Sequence, residues 1–166
     1  VHAPPGVHRY RVLVQQGEDA GLILPTDTVR VSSEARLSIS DLVLGRRANN
    51  LNWIAAPEDT VFLNPLETFR RADEMQLYYE VYGATRGTML RTEVAVRKGT
   101  GSDVFGKGGS AISLKFAEES GGEVDRLNRT LDLSKLKAGA YTLGVKVILP
   151  DGTADSRVQQ FTVTDS

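Results

Sequence analysis

Tyr78, Glu80 and Tyr82 fall on every second residue of one short run and are the side chains best placed to act together at a surface. In a strand such spacing puts all three on one face. Two phenols beside a carboxylate offer apolar area with hydrogen-bonding tips, which suits a peptide, a glycan or another domain. The stripe would serve equally as a floor for the apolar sequence that precedes Leu66, and covering is the stronger of the two readings. In that arrangement Trp53, in Asn52-Trp53-Ile54, is the natural anchor.

Other arrangements that could carry chemistry fall short of what the chemistry needs. The histidines are His2 and His8, both near the first strand, which leaves no interior imidazole for a triad or a multi-histidine metal site. Cysteine is absent, so thiolate ligands, thiol nucleophiles and disulfides are excluded. Gly101 to Lys107 imitates the spacing of a phosphate-cradling loop, but Gly108 stands where Ser or Thr must reach the magnesium ion. That stretch joins two strands, and it reads as a flexible hairpin loop. Asp151 with Asp155, and Glu118 with Glu119, are too few to supply the roughly six to eight oxygens calcium takes. Neighbouring glutamates on a strand also point to opposite faces, which defeats a paired acid and base. Arg46-Arg47 and Arg70-Arg71 read as loop charges. No catalytic residue, metal site or cofactor is therefore assigned, and a hydrolase is a remote reading.

The elements that must position these residues are strands. Met75, Leu77, Tyr79 and Val81 take the parity opposite the stripe, and the same alternation runs through Leu90 to Val96, Ile112 to Phe116, Leu131 to Leu133, Tyr141 to Val147 and Gln159 to Val163. Leu136, Gly139 and Tyr141 have the spacing of a tyrosine corner, whose hydroxyl bonds back to backbone a few residues upstream. Pro150-Asp151-Gly152 supplies a turn, and Val158, out of step with Phe161, suggests a bulge or the strand edge there. With a strand near Leu66 to Arg70, the C-terminal hundred residues give about seven strands. The predicted fold is all-β: an immunoglobulin-like or fibronectin-III-like antiparallel β-sandwich over residues 66–166. Residues 1–65 form an additional N-terminal segment with a β-hairpin, from Tyr10-Val12-Val14 and Val29-Val31, and a further strand-like run through Leu37, Ile39 and Leu42-Val43-Leu44, either docked or part of a truncated neighbouring domain. No internal repeat is read.

The bulk composition agrees with a globular protein. The 166 residues are 40% hydrophobic and 25% charged, and 20 Lys plus Arg against 21 Asp plus Glu give a net charge of -1. A nearly neutral chain lacks the basic face that nucleic acid requires. No apolar run approaches the roughly 20 residues of a membrane-spanning helix. The chain opens on Val1 with no leader-like segment, which suggests a piece of a longer protein.

Ile39 to Gly45, Leu63 to Leu66, Leu77-Tyr-Tyr-Glu-Val-Tyr-Gly83 and Leu136-Lys-Ala-Gly-Ala-Tyr-Thr-Leu143 together resemble the C-terminal β-rich region of bacterial proteins named for a GWxTD motif. The naming motif itself is absent. The resemblance spans residues 8 to 163 and implies an exported protein, periplasmic or at the cell envelope, without an established active site. The expected function is a non-enzymatic module for protein or envelope interaction, with a structural spacer or companion domain as the alternative.

Overall fold

The computed structural model describes residues 3–18, 20–31, 36–47, 51–57, 59–106 and 108–165, and they form two compact units, Val1–Arg36 and Leu37–Ser166. The smaller unit is a ribbon of β1 (Gly6–Tyr10), β2 (Leu13–Gln16), β3 (Ala20–Ile23) and β4 (Asp27–Val31). β1 pairs antiparallel with β4 and β2 with β3, and Leu24 N bonds to Val12 O between them, so the four strands make one long hairpin.

The larger unit contains β5 (Ser38–Ile39), β6 (Val43–Gly45), β7 (Asn52–Ala56), β8 (Asp59–Phe62), β9 (Thr68–Arg70), β10 (Glu74–Tyr82), β11 (Met89–Lys98), β12 (Ile112–Glu119), β13 (Val124–Asp132), β14 (Gly139–Ile148) and β15 (Ala154–Thr164). β10 pairs along its length with β13 and, on its other edge, end to end with β6 and β5. A second sheet runs β12-β11-β14-β15-β9. Met75, Leu77, Tyr79 and Val81 of the first sheet and Leu90, Val94, Val96, Leu143, Val145 and Val147 of the second are fully buried in one core. Two sheets closed over one apolar layer make a β-sandwich, with the strand arrangement of the immunoglobulin-like class.

Four features differ from the sequence reading. The boundary set at Leu66 lies instead between Arg36 and Leu37. Residues 38–45 are the first sandwich strand: Ile39 pairs with Val81 and Leu44 with Leu77, and Leu37, Ile39, Leu42 and Leu44 are buried in the core. The strand-like run read in the sequence at Leu37, Ile39 and Leu42 to Leu44 is this strand, but it belongs to the sandwich and not to the N-terminal segment; it is broken at residues 40–42, where Ser40 N donates to Glu80 O (2.9 Å) and Ser40 Oγ accepts from Glu80 N (2.9 Å) to patch the ladder. Second, the sandwich is not wholly antiparallel, since β9 runs parallel to β15. Third, of the bulge and the strand edge offered at Val158 there is no bulge: Val158 pairs in continuous register with Gly144, on a stretch of β15 that β9 does not reach, and its parity faces outward, opposite to Phe161 and Val163. Fourth, the Gly-rich loop after β11 is packed rather than free. Val104 is fully buried, and Val104 and Phe105 lie so close over Gly144 that a Cβ there would meet Phe105 Cζ at 2.8 Å. Lys107, the would-be phosphate lysine, lies outside the described residues.

Candidate functional site

The inward parity of β10 commits its even residues to the opposite face, where Gln76 and Tyr78 are buried and Glu80 and Tyr82 half-buried. Glu80 is the hub. Its Oε1 accepts from Tyr78 Oη at 2.6 Å, its Oε2 accepts from Tyr82 Oη, and Arg126 Nε on the neighbouring strand β13 lies 3.4 Å from Oε1. A carboxylate can take several partners, and this one, with its side chain 16% exposed, has two phenol donors and one ion-pair partner.

Both phenols are held protonated. Burial raises the Tyr78 hydroxyl far above its ordinary value of 10.0, and the hydrogen bond to Glu80 and the charge of that carboxylate raise it further. The same causes push Tyr82 up to about 12. Neither oxygen is a phenolate near neutral pH, and each already donates its proton to a neighbour. The arrangement is suited to holding a surface rigid.

That surface is covered by β7 and β8, a hairpin inserted between β6 and β9. The Trp53 ring meets Tyr78 edge-on, with centroids 6.1 Å apart and planes at 87°. Its strand partner Val61 is 2% exposed. Backbone bonds from Leu63 N to Leu51 O (2.8 Å) and from Asn64 N to Leu44 O (3.0 Å) close the base of the hairpin. The hairpin nevertheless keeps apolar area outside: Leu51 is 45%, Trp53 49% and Ile54 66% exposed.

Beside Tyr82, where β10 ends and β13 begins, a shallow cleft of about 500 Å³ is lined by Thr85, Arg86, Gly121, Gly122 and Arg126. The turn amides that could have cradled an anion there are committed, Gly121 N to Asp125 Oδ1 (2.7 Å) and Gly122 N to Ser120 Oγ (3.1 Å).

The residues of the corner are structural. Leu136 and Tyr141 are buried, Tyr141 Oη donates to Lys137 O at 2.7 Å, and its ring stacks on Phe161 at 5.6 Å. His8 Nε2 is 2.6 Å from Pro4 O, and His2 lies outside the described residues. Asp151 accepts from Thr153 N (2.8 Å), which lowers its pKa and holds the β14–β15 turn. Asp155 accepts from Ile39 N (2.9 Å) and Arg157 (3.1 Å). Among the described residues no three His, Asp or Glu side chains gather to hold a metal ion.

One polar group escaped the sequence reading. Arg129 of β13 has the inward parity of Leu127 and Leu131, and its guanidinium reaches Glu118 of β12 at 2.5 and 2.6 Å while lying 4.6 Å from the centre of the Phe116 ring. Tyr79 and Thr92, both almost wholly buried, bring hydroxyls to the same layer, and burial raises the Tyr79 pKa. The available signal was a Thr and an Arg at positions where the strand pattern asks for aliphatics.

Fold and site together define a β-sandwich whose aromatic stripe is used internally, as the seat of an inserted hairpin. Neither a protein-family model nor a curated protein matches the chain. Among solved structures the chain is similar to the PmoD soluble domain from Methylocystis sp. ATCC 49242 (Rockwell), at 10% identity over 76% of this chain and 90% of that one, with a TM-score of 0.41.

Proposed function

We propose that this protein is a non-enzymatic β-sandwich module that makes protein contacts through the β7–β8 hairpin, within a larger exported bacterial protein at the cell envelope. The observation that carries the reading is the exposed crest of Leu51, Trp53 and Ile54 on a seat made rigid by Tyr78, Glu80 and Tyr82. A tryptophan with aliphatic neighbours on a supported surface is the composition of an interface anchor. The GWxTD resemblance supplies the envelope setting. No catalytic role belongs to the reading, since the phenols of the stripe are held neutral and bonded to Glu80.

Capture from envelope extract tests it. Wild-type protein should retain a specific protein that Ile54→Glu loses and Leu114→Glu, on β12, keeps, with the melting temperature unchanged in both variants. Capture that is indifferent to Ile54→Glu would reject the hairpin as the contact face. The second reading, a structural spacer, is favoured by the 4% exposure of Tyr78, whose ring meets Trp53 of the hairpin.

A further inference from the structure

A two-stranded ribbon has no second layer, and an isolated one is marginal in water. The Gly6–Val31 ribbon is nonetheless rich in large apolar side chains, from Leu24 at 40% to Leu13 at 64% exposed. They are not evenly spread. Alternate residues share a face, so Tyr10, Val12 and Val14 lie with Leu22, Leu24 and Val29 and with the polar His8 and Asp27, the latter opposite Tyr10 and bonded to its hydroxyl, whereas Arg9, Arg11 and Gln15 share the other side with Val7, Leu13 and Ile23.

The same design occurs once more in the chain, fully packed. Gly139 opens β14 at φ 144° opposite Val163, and Gly6 opens β1 at φ 143° opposite Val31. Counting from each glycine, the core positions Tyr141, Leu143, Val145 and Val147 correspond to His8, Tyr10, Val12 and Val14, with valine in both hairpins at the last two. On the returning strand Phe161 corresponds to Val29. The ladder of the ribbon slips by one residue between Tyr10↔Asp27 and Leu13↔Ile23, a slip that β14–β15 lacks. No repeat is visible in the bare sequence because the likeness lies in the pattern of faces and in a handful of residues.

In the sandwich this hairpin is never bare. β14 pairs on its free edge with β11, and its inward residues are each at most 3% exposed beneath the β10 sheet. The corresponding edge of the ribbon, along β1 and β2, has no strand partner among the described residues. We propose that β1–β4 are the closing hairpin of a second β-sandwich, whose remaining strands lie N-terminal to it in the same polypeptide. They would add a strand along β1–β2 and lay an apolar sheet on the Tyr10, Val12, Val14 face. The order follows from the packed hairpin, which is the last element of its own sandwich, and from residues 38–45, which already belong to the next one. The chain thus spans a junction between tandem sandwiches, and the ribbon face is a core face.

Amide hydrogen exchange tests this on two polypeptides, the 166-residue chain and the product of the complete gene. In the 166-residue chain the outward amides of β1 and β2 should exchange freely at every protein concentration. In the complete product they should gain protection of about 100-fold or more, as expected of amides locked inside a folded layer. Tyr10→Asp with Val12→Asp should abolish that gain, Arg9→Asp with Arg11→Asp should leave it, and neither pair should change the melting of the 37–166 sandwich, which reports that the protein still folds. Equal exchange in the two polypeptides, or a gene encoding no strands before the ribbon, would overturn the proposal. Protection in the 166-residue chain that grows with concentration would overturn it too, assigning the face to a second copy.

Discussion

Replacing Gly45 with Ala should loosen the hairpin from the sheet. Gly45 ends β6 where β8 crosses it, and a Cβ there would stand 1.8 Å from Phe62 O and 2.5 Å from Phe62 C. Both obstacles are backbone, so no rotamer change relieves them. Restoring a separation of 3.0 Å from 1.8 Å requires β8 to retreat by about 1.2 Å, the difference of the two. That retreat pulls on the Asn64 N to Leu44 O bond of 3.0 Å and on the edge contact between Trp53 and Tyr78. Overpacking costs about 1–3 kcal/mol and a weakened hydrogen bond about 1 kcal/mol, while Ala in place of Gly returns about 0.5–1 kcal/mol through the unfolded chain. The net loss is about 2 kcal/mol, which for a unit of this size lowers the melting temperature by about 5–10 °C. Thermal melting measures the loss, and Trp53, the single tryptophan, reports the hairpin directly through a red shift of its emission. Gly109→Ala, with nothing within 4 Å of its Cβ, is the neutral control. A Gly45→Ala protein that melts like the wild type with unchanged emission would refute the close approach and the seating of the hairpin built on it.

Tyr141→Phe keeps the ring stacked on Phe161 and removes the bond to Lys137 O, so urea unfolding should show a loss of about 1 kcal/mol; no loss would mean the hydroxyl contributes nothing to the corner. Alkaline stability should report the stripe. An unfolded tyrosine ionises near 10.0 and folded Tyr82 near 12, so between those values the unfolded chain releases a proton the folded one keeps, and stability is intact below 10 and falls as pH rises toward 12. Tyr78 acts in the same direction from 10 upward, and its effect continues to still higher pH. The melting temperature of Tyr78→Phe with Tyr82→Phe should therefore decline less across that window than wild type, and parallel declines would sink the assignment.

The legible part of the fold was the part with clean alternation. In β10 each odd residue from Met75 to Val81 is fully buried, and two-residue periodicity needs nothing further to be read. The first sandwich strand is legible as a strand-like run from Leu37 to Leu44, but its place in the sandwich is not, because Ser40 and Asp41 interrupt it and its backbone is completed by a serine hydroxyl that no pattern announces. The loop over Gly144 was misread for a related reason: glycines suggest freedom, whereas Val104 in their midst is a core residue whose partner is the outer face of a sheet. Arg129 shows the converse, a charge in an inward register that burial permits only because Glu118 and the Phe116 ring receive it.

The stripe itself was legible as a set and not as a device. Spacing places Tyr78, Glu80 and Tyr82 on one face, but only the folded chain shows two phenol donors and the Arg126 cation converging on one carboxylate and Trp53 standing against the first phenol. The consequence is physical. A carboxylate this far removed from water is costly unless its lone pairs are met, so loss of any donor leaves a partly unpaired charge under the hairpin. Tyr78, Tyr82 and Arg126 are therefore bound together as one unit whose product is a fixed platform. The reactive-looking residues serve the inert task, and the chemistry of contact passes to the crest they support, where Ile54 and the outer side of Trp53 face solvent.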